Sequence, residues 1–288
     1  MLQVVINSDD LGLNPTVNTA ISKALAKGYV TSATILANSQ YWDSIHEIIK
    51  LNPQASFGVH LNLTEGKALT ENKVFLEKGI VDNRNNFTAK IREQDFTCKA
   101  LLEAVYEEWD AQMYKVICEE GVHVTHVDGH HHIHADYVFH QILIDLLQKY
   151  KIAHVRNRYV FPVDSGRDLL RKTVRSFASP VCYRVMKSSL LNKIGKPVES
   201  LRYHIESALW TKKIKKYAGT SSYFDSYEHF INQMATGAKL RNKSVIELMV
   251  HPGHPKYINE YNMLASNMLH GACKNFKIVS YKDLQFDK

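Results

Sequence analysis

Thr125-His126-Val127-Asp128-Gly129-His130-His131-His132-Ile133-His134 packs five of the chain's fifteen histidines into ten residues. Val122 and Val124 lead into it, Gly129 interrupts it, and an apolar-patterned helix is expected from about Asp136. The stretch therefore reads as strand, glycine-containing loop, helix. Imidazole is the commonest protein metal ligand and titrates near neutral pH. A cluster of it at the C-terminal end of a strand is where an α/β enzyme keeps its chemistry. The competing reading is a solvated histidine-rich loop. What separates the two is whether other strands end in the same way.

They do. The apolar run of residues 2–7 ends in Asn7-Ser8-Asp9-Asp10-Leu11-Gly12. A third strand, Ser56 to Leu63, carries His60 between Val59 and Leu61, and the strand Ser244 to Val250 ends in His251-Pro252-Gly253-His254. Helices alternate with these strands from the start. Asn14 and Pro15 open one that Gly28 closes, and others are expected over 41–51, 97–120, 136–150, 226–240 and 258–270. Further strands are expected at 30–37, 152–155 and 276–279. Such alternation favours a parallel sheet with right-handed crossovers. In a β/α barrel all strand C-termini then share one face, so residues distant in sequence converge there.

Composition bounds the rest. With 288 residues, 45% hydrophobic and 23% charged, a single catalytic domain over 1–288 is expected. No run of about eighteen apolar residues exists, so no transmembrane segment is expected. The N-terminus enters a strand without a basic leader, and Cys98, Cys118, Cys182 and Cys273 form no CxxC. Both features point to a reduced, cytoplasmic protein, with Cys118 a buried, inert thiol in its helix. The net charge is +7, and thirteen Lys/Arg against three Asp/Glu fall between Gly166 and Lys216. This region reads as a basic helical insertion at about 160–225, with a short strand near Leu201 to Ile205. No nucleic-acid motif accompanies the charge, so no nucleic-acid partner is expected. Residues 64–95 show no period and read as a long loop.

The adjacent carboxylates Asp9 and Asp10 repel each other, and at a pocket they call for a cation or a shared proton; the bland reading is a turn that caps the next helix. His60 is either a satisfied core histidine or a ligand. His130, just beyond Gly129, is best placed in its cluster to bind a metal, and Asp128 to orient a histidine. His132 and His134 are candidates to line a cleft. His251, fixed by Pro252 and Gly253, suits general acid work. Arg156, at another strand end, is placed to orient Asp9.

Taken together, Asn7 to Leu13, Gly28 to Thr34, Gly58 to Gly66, Thr125 to His134 and Met249 to Gly253 resemble, in order, the motifs of the YdjC-like carbohydrate deacetylase family, which includes the chitooligosaccharide (diacetylchitobiose) deacetylases. The resemblance implies an α/β, (β/α) barrel-like fold, incomplete with about seven strands and related to polysaccharide deacetylase barrels. It implies hydrolysis of the N-acetyl group of an amino sugar or short oligosaccharide with one divalent metal ion, Mg²⁺ or Zn²⁺. By position, Asp10, His60 and His130 look like the metal ligands, Asp9 like the catalytic base and His251 like the acid. Leu11 stands where the family usually has Phe, and Gly129 where it often has Ser; both bear on substrate fit more than on chemistry. The expected partner is a small N-acetylated sugar, and a homodimer is the default assembly. The competing functions are a metal-dependent phosphoesterase on the same barrel and a metal-containing carbohydrate-binding protein without catalysis.

Overall fold

The computed structural model describes residues 1–158, 196–237, 245–272 and 275–284. Its first strand, β1 (Leu2–Leu11), is buried along nearly its whole length and lies inside the sheet, with a strand paired on each side. Helix α1 (Pro15–Ala26) follows. Asn14 Oδ1 accepts from Val17 N at 3.0 Å, and Val17, Ile21, Ala24 and Leu25 make the buried stripe. Next come β2 (Ser32–Ile35), α2 (Trp42–Leu51), β3 (Ser56–Leu61), the short α3 (Lys73–Glu77) and α4 (Lys99–Tyr114). Then follow β4 (Val124–Gly129), α5 (His140–Lys149) and β5 (His154–Val155). The described chain ends with α6 (Lys196–Ile214), β6 (Tyr223–Ser226), α7 (Tyr227–Ala235), β7 (Val245–Val250), α8 (Glu260–Ala265), α9 (Met268–Ala272) and β8 (Phe276–Ile278).

Every strand pairing is parallel, in the order β5-β4-β3-β2-β1-β7-β6, with β8 set against the start of β1. The ends of this path meet at one parallel bridge, where Val155 N donates to Gly219 O at 3.0 Å. The sheet is thus an incomplete β/α barrel of seven strands, as expected. The main core lies between sheet and helices. Inside the barrel, among the described residues, a second and small apolar cluster gathers Val5, Val279 and Tyr281. Above it the interior is polar, holding Asn7, His126, Arg156 and Glu247, all buried.

Two expectations are corrected. Leu201 to Ile205 is not a strand but part of α6, in which the pairs Ile205 and Leu209, and Trp210 and Ile214, lie four residues apart and are buried. The last strand before β7 is instead β6, whose pairing with β7 places Asp225 beside Leu248. Of the insertion expected at about 160–225, residues 196–225 are described, with α6 and most of β6, while residues 159–195 lie outside the described residues. Cys118 is exposed, since it lies off the stripe that buries Met113 and Val116. The stretch 64–95 is a long connection, as expected, stitched by antiparallel bridges Lys67 to Asn86 and Val81 to Phe87. Among the described residues, no helix is long and apolar enough to cross a membrane.

Candidate active site at the C-terminal face

In a regular strand, successive side chains point to opposite faces. Asp9 and Asp10 escape this rule because the β1 to β2 register shifts between Ser8 and Leu11, and Asp10 adopts a left-handed backbone, φ 68°. Asp is among the residues that tolerate this region. Both carboxylates end up in the same polar cluster at the barrel mouth, 2% and 3% exposed.

Asp10 Oδ1 lies 2.8 Å from His130 Nδ1 and 3.2 Å from His60 Nε2. His60 is held from behind: its Nδ1 is 2.6 Å from Asp128 Oδ1, while Thr34 donates to Asp128 Oδ2 at 3.0 Å. Such a carboxylate behind an imidazole fixes its tautomer and aims its other nitrogen. His130 Nε2 in turn lies 3.1 Å from Glu65 Oε2. Burial pushes His60 down, but the Asp128 and Asp10 carboxylates outweigh it and lift the imidazole to about 10. Burial pushes Asp10 up, and its bonds to His130 and His60 override this and hold it well below the carboxylate range.

Asp9 is gripped by Arg156, whose Nη1 and Nη2 each lie 2.6 Å from an Asp9 oxygen. Asn7 Nδ2 donates to Asp9 Oδ1 at 2.9 Å. The Arg156 Nη1 also meets Asp128 Oδ2 at 2.8 Å, its Nε donates to Glu247 Oε1 at 2.6 Å, and Phe224 covers its face at 4.8 Å. Burial opposes ionisation of Asp9, yet the guanidinium prevails and keeps it a carboxylate. His251 Nε2 stands 3.8 Å from Asp9 Oδ2. Its ring stacks on Tyr257 at 4.4 Å, and its backbone N–H donates to Glu260. Burial pushes His251 down; Glu260 and Asp9 more than compensate and raise it.

The structure thus brings Asp9, Asp10, His60, His130 and His251 together, with Asp128 behind His60 and Arg156 against Asp9, as the sequence reading expects. His126 and His134 separate from them. His126 sits deeper, against Asn7 Oδ1 at 3.2 Å and stacked on Tyr281 at 3.7 Å. Gly58 makes room for it: a Cβ there would lie 2.7 Å from His126 Nε2. His134 does not line a cleft. It is fully buried, with Nε2 at 3.2 Å from the Arg156 carbonyl. Burial, then Arg156, holds His126 and His134 well below the usual range and His132 at about 3. His131 and His132 both adopt left-handed φ, 51° and 57°, a region that His, like Asp, enters more readily than most side chains. Arg92 steadies them by donating to His131 O at 2.7 Å and to Asp136 at 2.8 Å.

Glu65, Glu247 and Glu260 are the contributors not anticipated from sequence. Glu247 interrupts the run Val245-Ile246-Glu247-Leu248-Met249-Val250, and a buried acid within a strand demands a partner. Glu65 and Glu260 sit in polar loop and helix contexts with no comparable local signal.

Among the described residues, three sets of donor atoms lie close enough to share an ion: Asp10, His60 and His130; Glu65, His130 and His131; and Asp9, His60 and Asp128. The last is taken up by Arg156, which bonds both of its carboxylates. The second shares His130 with the first and includes the exposed Glu65. The first is buried, and two imidazoles with one carboxylate form a donor set that binds divalent cations.

The sequence profile described as "YdjC-like protein" matches residues 3–275. A protein of Brevibacillus brevis named carbohydrate deacetylase is 30% identical over 169 residues, covering 59% of this chain and 64% of that protein. Carbohydrate deacetylase 1 of Listeria innocua is 30% identical over 199 residues, covering 67% and 77% respectively. The matched part of the chain spans 49% to 64% of the length of the first four such relatives. A solved structure from Enterococcus faecalis, described as a cellobiose-phosphate cleavage protein, superposes with a TM-score of 0.68 over 99% of both chains at 22% identity. That likeness speaks to the fold.

Proposed function

Because the chain belongs to the YdjC-like family, we propose that it hydrolyses the N-acetyl group of an acetylated amino sugar or short oligosaccharide, with one divalent cation bound by Asp10, His60 and His130. The names of the relatives support the reaction class. One observation carries the reading: an ionised carboxylate clamped by Arg156 faces a raised histidine 3.8 Å away, directly beside the buried donor set. A merely structural metal site needs no adjacent base and acid.

When bound, the cation polarises the acetyl carbonyl and makes water a stronger acid. The chain supplies the proton traffic. Asp9 Oδ1 already accepts from Asn7 and Arg156, whereas Oδ2 accepts from Arg156 and turns its other side toward His251. Oδ2 is the atom placed to take the proton of the attacking water. His251, protonated, gives its Nε2 proton to the leaving amine, which is otherwise a very poor leaving group. Asp128 and Glu65 orient the two imidazoles, and Arg156 keeps Asp9 charged and fixed.

The test is acetate release from N,N′-diacetylchitobiose and a panel of N-acetylated sugars, after metal removal and again after its restoration. Metal-dependent acetate release is expected. One metal per chain with no acetate from any sugar, but with turnover of phosphoesters, would replace this reading by the phosphoesterase one.

A further inference from the structure

Asn7 is fully buried on β1, two residues before Asp9, and both ends of its side-chain amide are engaged. Its Nδ2 donates to Asp9 Oδ1 at 2.9 Å and to Thr34 Oγ1 at 3.1 Å, and that hydroxyl donates on to Asp128 Oδ2 at 3.0 Å. On its other side, Asn7 Oδ1 meets His126 Nε2 at 3.2 Å. We propose that His126 and Asn7 are positioning residues for Asp9. The His126 Nε2–H holds the amide turned so that Asn7 Nδ2 occupies Asp9 Oδ1, which leaves Oδ2 for the attacking water. The proposal rests on the deacetylase reading above.

The direction of each bond in this chain follows from its ends. Ionised Asp9 only accepts, so the amide turns its NH₂ to Asp9 and its oxygen to His126. That oxygen only accepts in its turn, so His126 carries its proton on Nε2. Nδ1 is then bare and takes a hydrogen from Thr125 Oγ1 at 2.9 Å, nearer than that hydroxyl's other acceptor, Phe57 O at 3.2 Å. Burial, then the Arg156 guanidinium, keeps the ring neutral, as this arrangement requires. The ring is also fixed in place. Tyr281 stacks on it with an interplanar angle of 13°, and Gly58 on β3 leaves the room that a Cβ would take. A histidine that only filled this space would need no hydrogen bond, yet both ring nitrogens have a partner. Without the Nε2 proton, Asn7 Oδ1 loses its donor, and the amide can turn and bring an oxygen toward Asp9.

The test compares His126→Phe, which keeps a ring against Tyr281 but has no donor, with His126→Gln, whose side-chain amide can donate from about the place of Nε2. Acetate release is measured on the sugar that wild type turns over fastest. His126→Phe is expected to lower kcat about tenfold, the scale of one hydrogen bond, with KM and metal content unchanged, and His126→Gln to stay within about threefold of wild type. Asn7→Leu is expected to lower kcat about 100-fold, and His126→Phe added to it to cost less than a further twofold, because His126 acts through Asn7. Wild-type kcat in His126→Phe, no rescue by His126→Gln, or losses that add in the double variant would overturn the proposal. A second measurement needs no turnover and no stable variant of Asn7. In long-range proton–nitrogen NMR spectra of wild type labelled at histidine, the His126 ring, assigned by its disappearance in either His126 variant, is expected to carry its proton on Nε2 alone. A proton on Nδ1 overturns the proposal whatever the rates are. No acetate from wild type on any sugar, with the proton on Nε2, means that the deacetylase reading fails while the hydrogen-bond chain that holds Asp9 stands.

Discussion

Arg156 and Asp9 meet in a two-pronged ion pair, 2.6 Å at each prong, with both side chains almost wholly buried. The same guanidinium also bonds Asp128 and Glu247, so one cation ties three buried acidic side chains together. A lysine carries the charge but not the fork. Arg156→Lys is expected to lower kcat about 100-fold, the scale of a 1 Å misplacement at a reacting group, with metal content near wild type. Arg156→Ala strands buried charge and is expected to cost about 3–5 kcal/mol of stability, read by denaturant unfolding. Activity near wild type in the lysine variant would mean that Asp9 needs no precise clamp.

Glu247 acts through that clamp. It touches Arg156 Nε at 2.6 Å and lies on β7, beside Val5 of β1. Glu247→Gln keeps an acceptor for Nε but removes the carboxyl group, whose pKa burial raises. Expected is a drop of about tenfold in kcat, within the range for loss of one charge-assisted bond, at constant KM and constant metal content. A change confined to thermal stability would make Glu247 a packing residue only.

What could be read from sequence follows from this arrangement. Asp9, His60, His130 and His251 each stand at or near the end of an apolar strand, where an ionisable residue is conspicuous, and parallel topology alone brings them together. The barrel was legible for the same reason: long apolar strands alternate with capped helices. β6 was not, because Tyr223-Phe224-Asp225-Ser226 is short and half polar, and its strand character comes from pairing with β7. The left-handed turn at Asp10, on which the convergence of the two carboxylates depends, leaves no local mark beyond an Asp that tolerates it. Nor does any pattern tie Arg156 to Glu247, 91 residues apart, or Glu65 to His130.

The loop after β3 is tied down by α4. Glu108, fully buried, accepts from Leu69 N at 3.0 Å and from Thr70 N and Oγ1 at 2.8 and 2.6 Å, and Gln112 bonds both backbone groups of Asn62. This loop carries Glu65 to His130. Glu108→Ala leaves buried donors without their acceptor, a loss of about 1–3 kcal/mol. Faster amide exchange at Leu69 and Thr70 and a lower Tm are expected, together with weaker metal retention. Unchanged exchange there would show that other contacts hold the loop.

The pH dependence of the reaction should report His251. An acid must be protonated, so activity holds below the folded pKa of His251 and falls as pH rises through it. Glu260 and Asp9 raise that pKa above the ordinary 6.5 against the effect of burial. The alkaline limb of kcat/KM is therefore expected above pH 6.5. Glu260→Gln keeps an acceptor for the His251 backbone N–H but removes the charge, which lowers the pKa and moves the limb toward acid. His251→Ala should cost about 10²–10⁴ in kcat, abolish that limb, and leave metal content intact, because His251 is not among the donors around Asp10. Metal analysis and rate profiles of the two variants separate the possibilities. Metal lost with His251→Ala would make His251 a ligand, and a limb that survives in that variant would belong to another group.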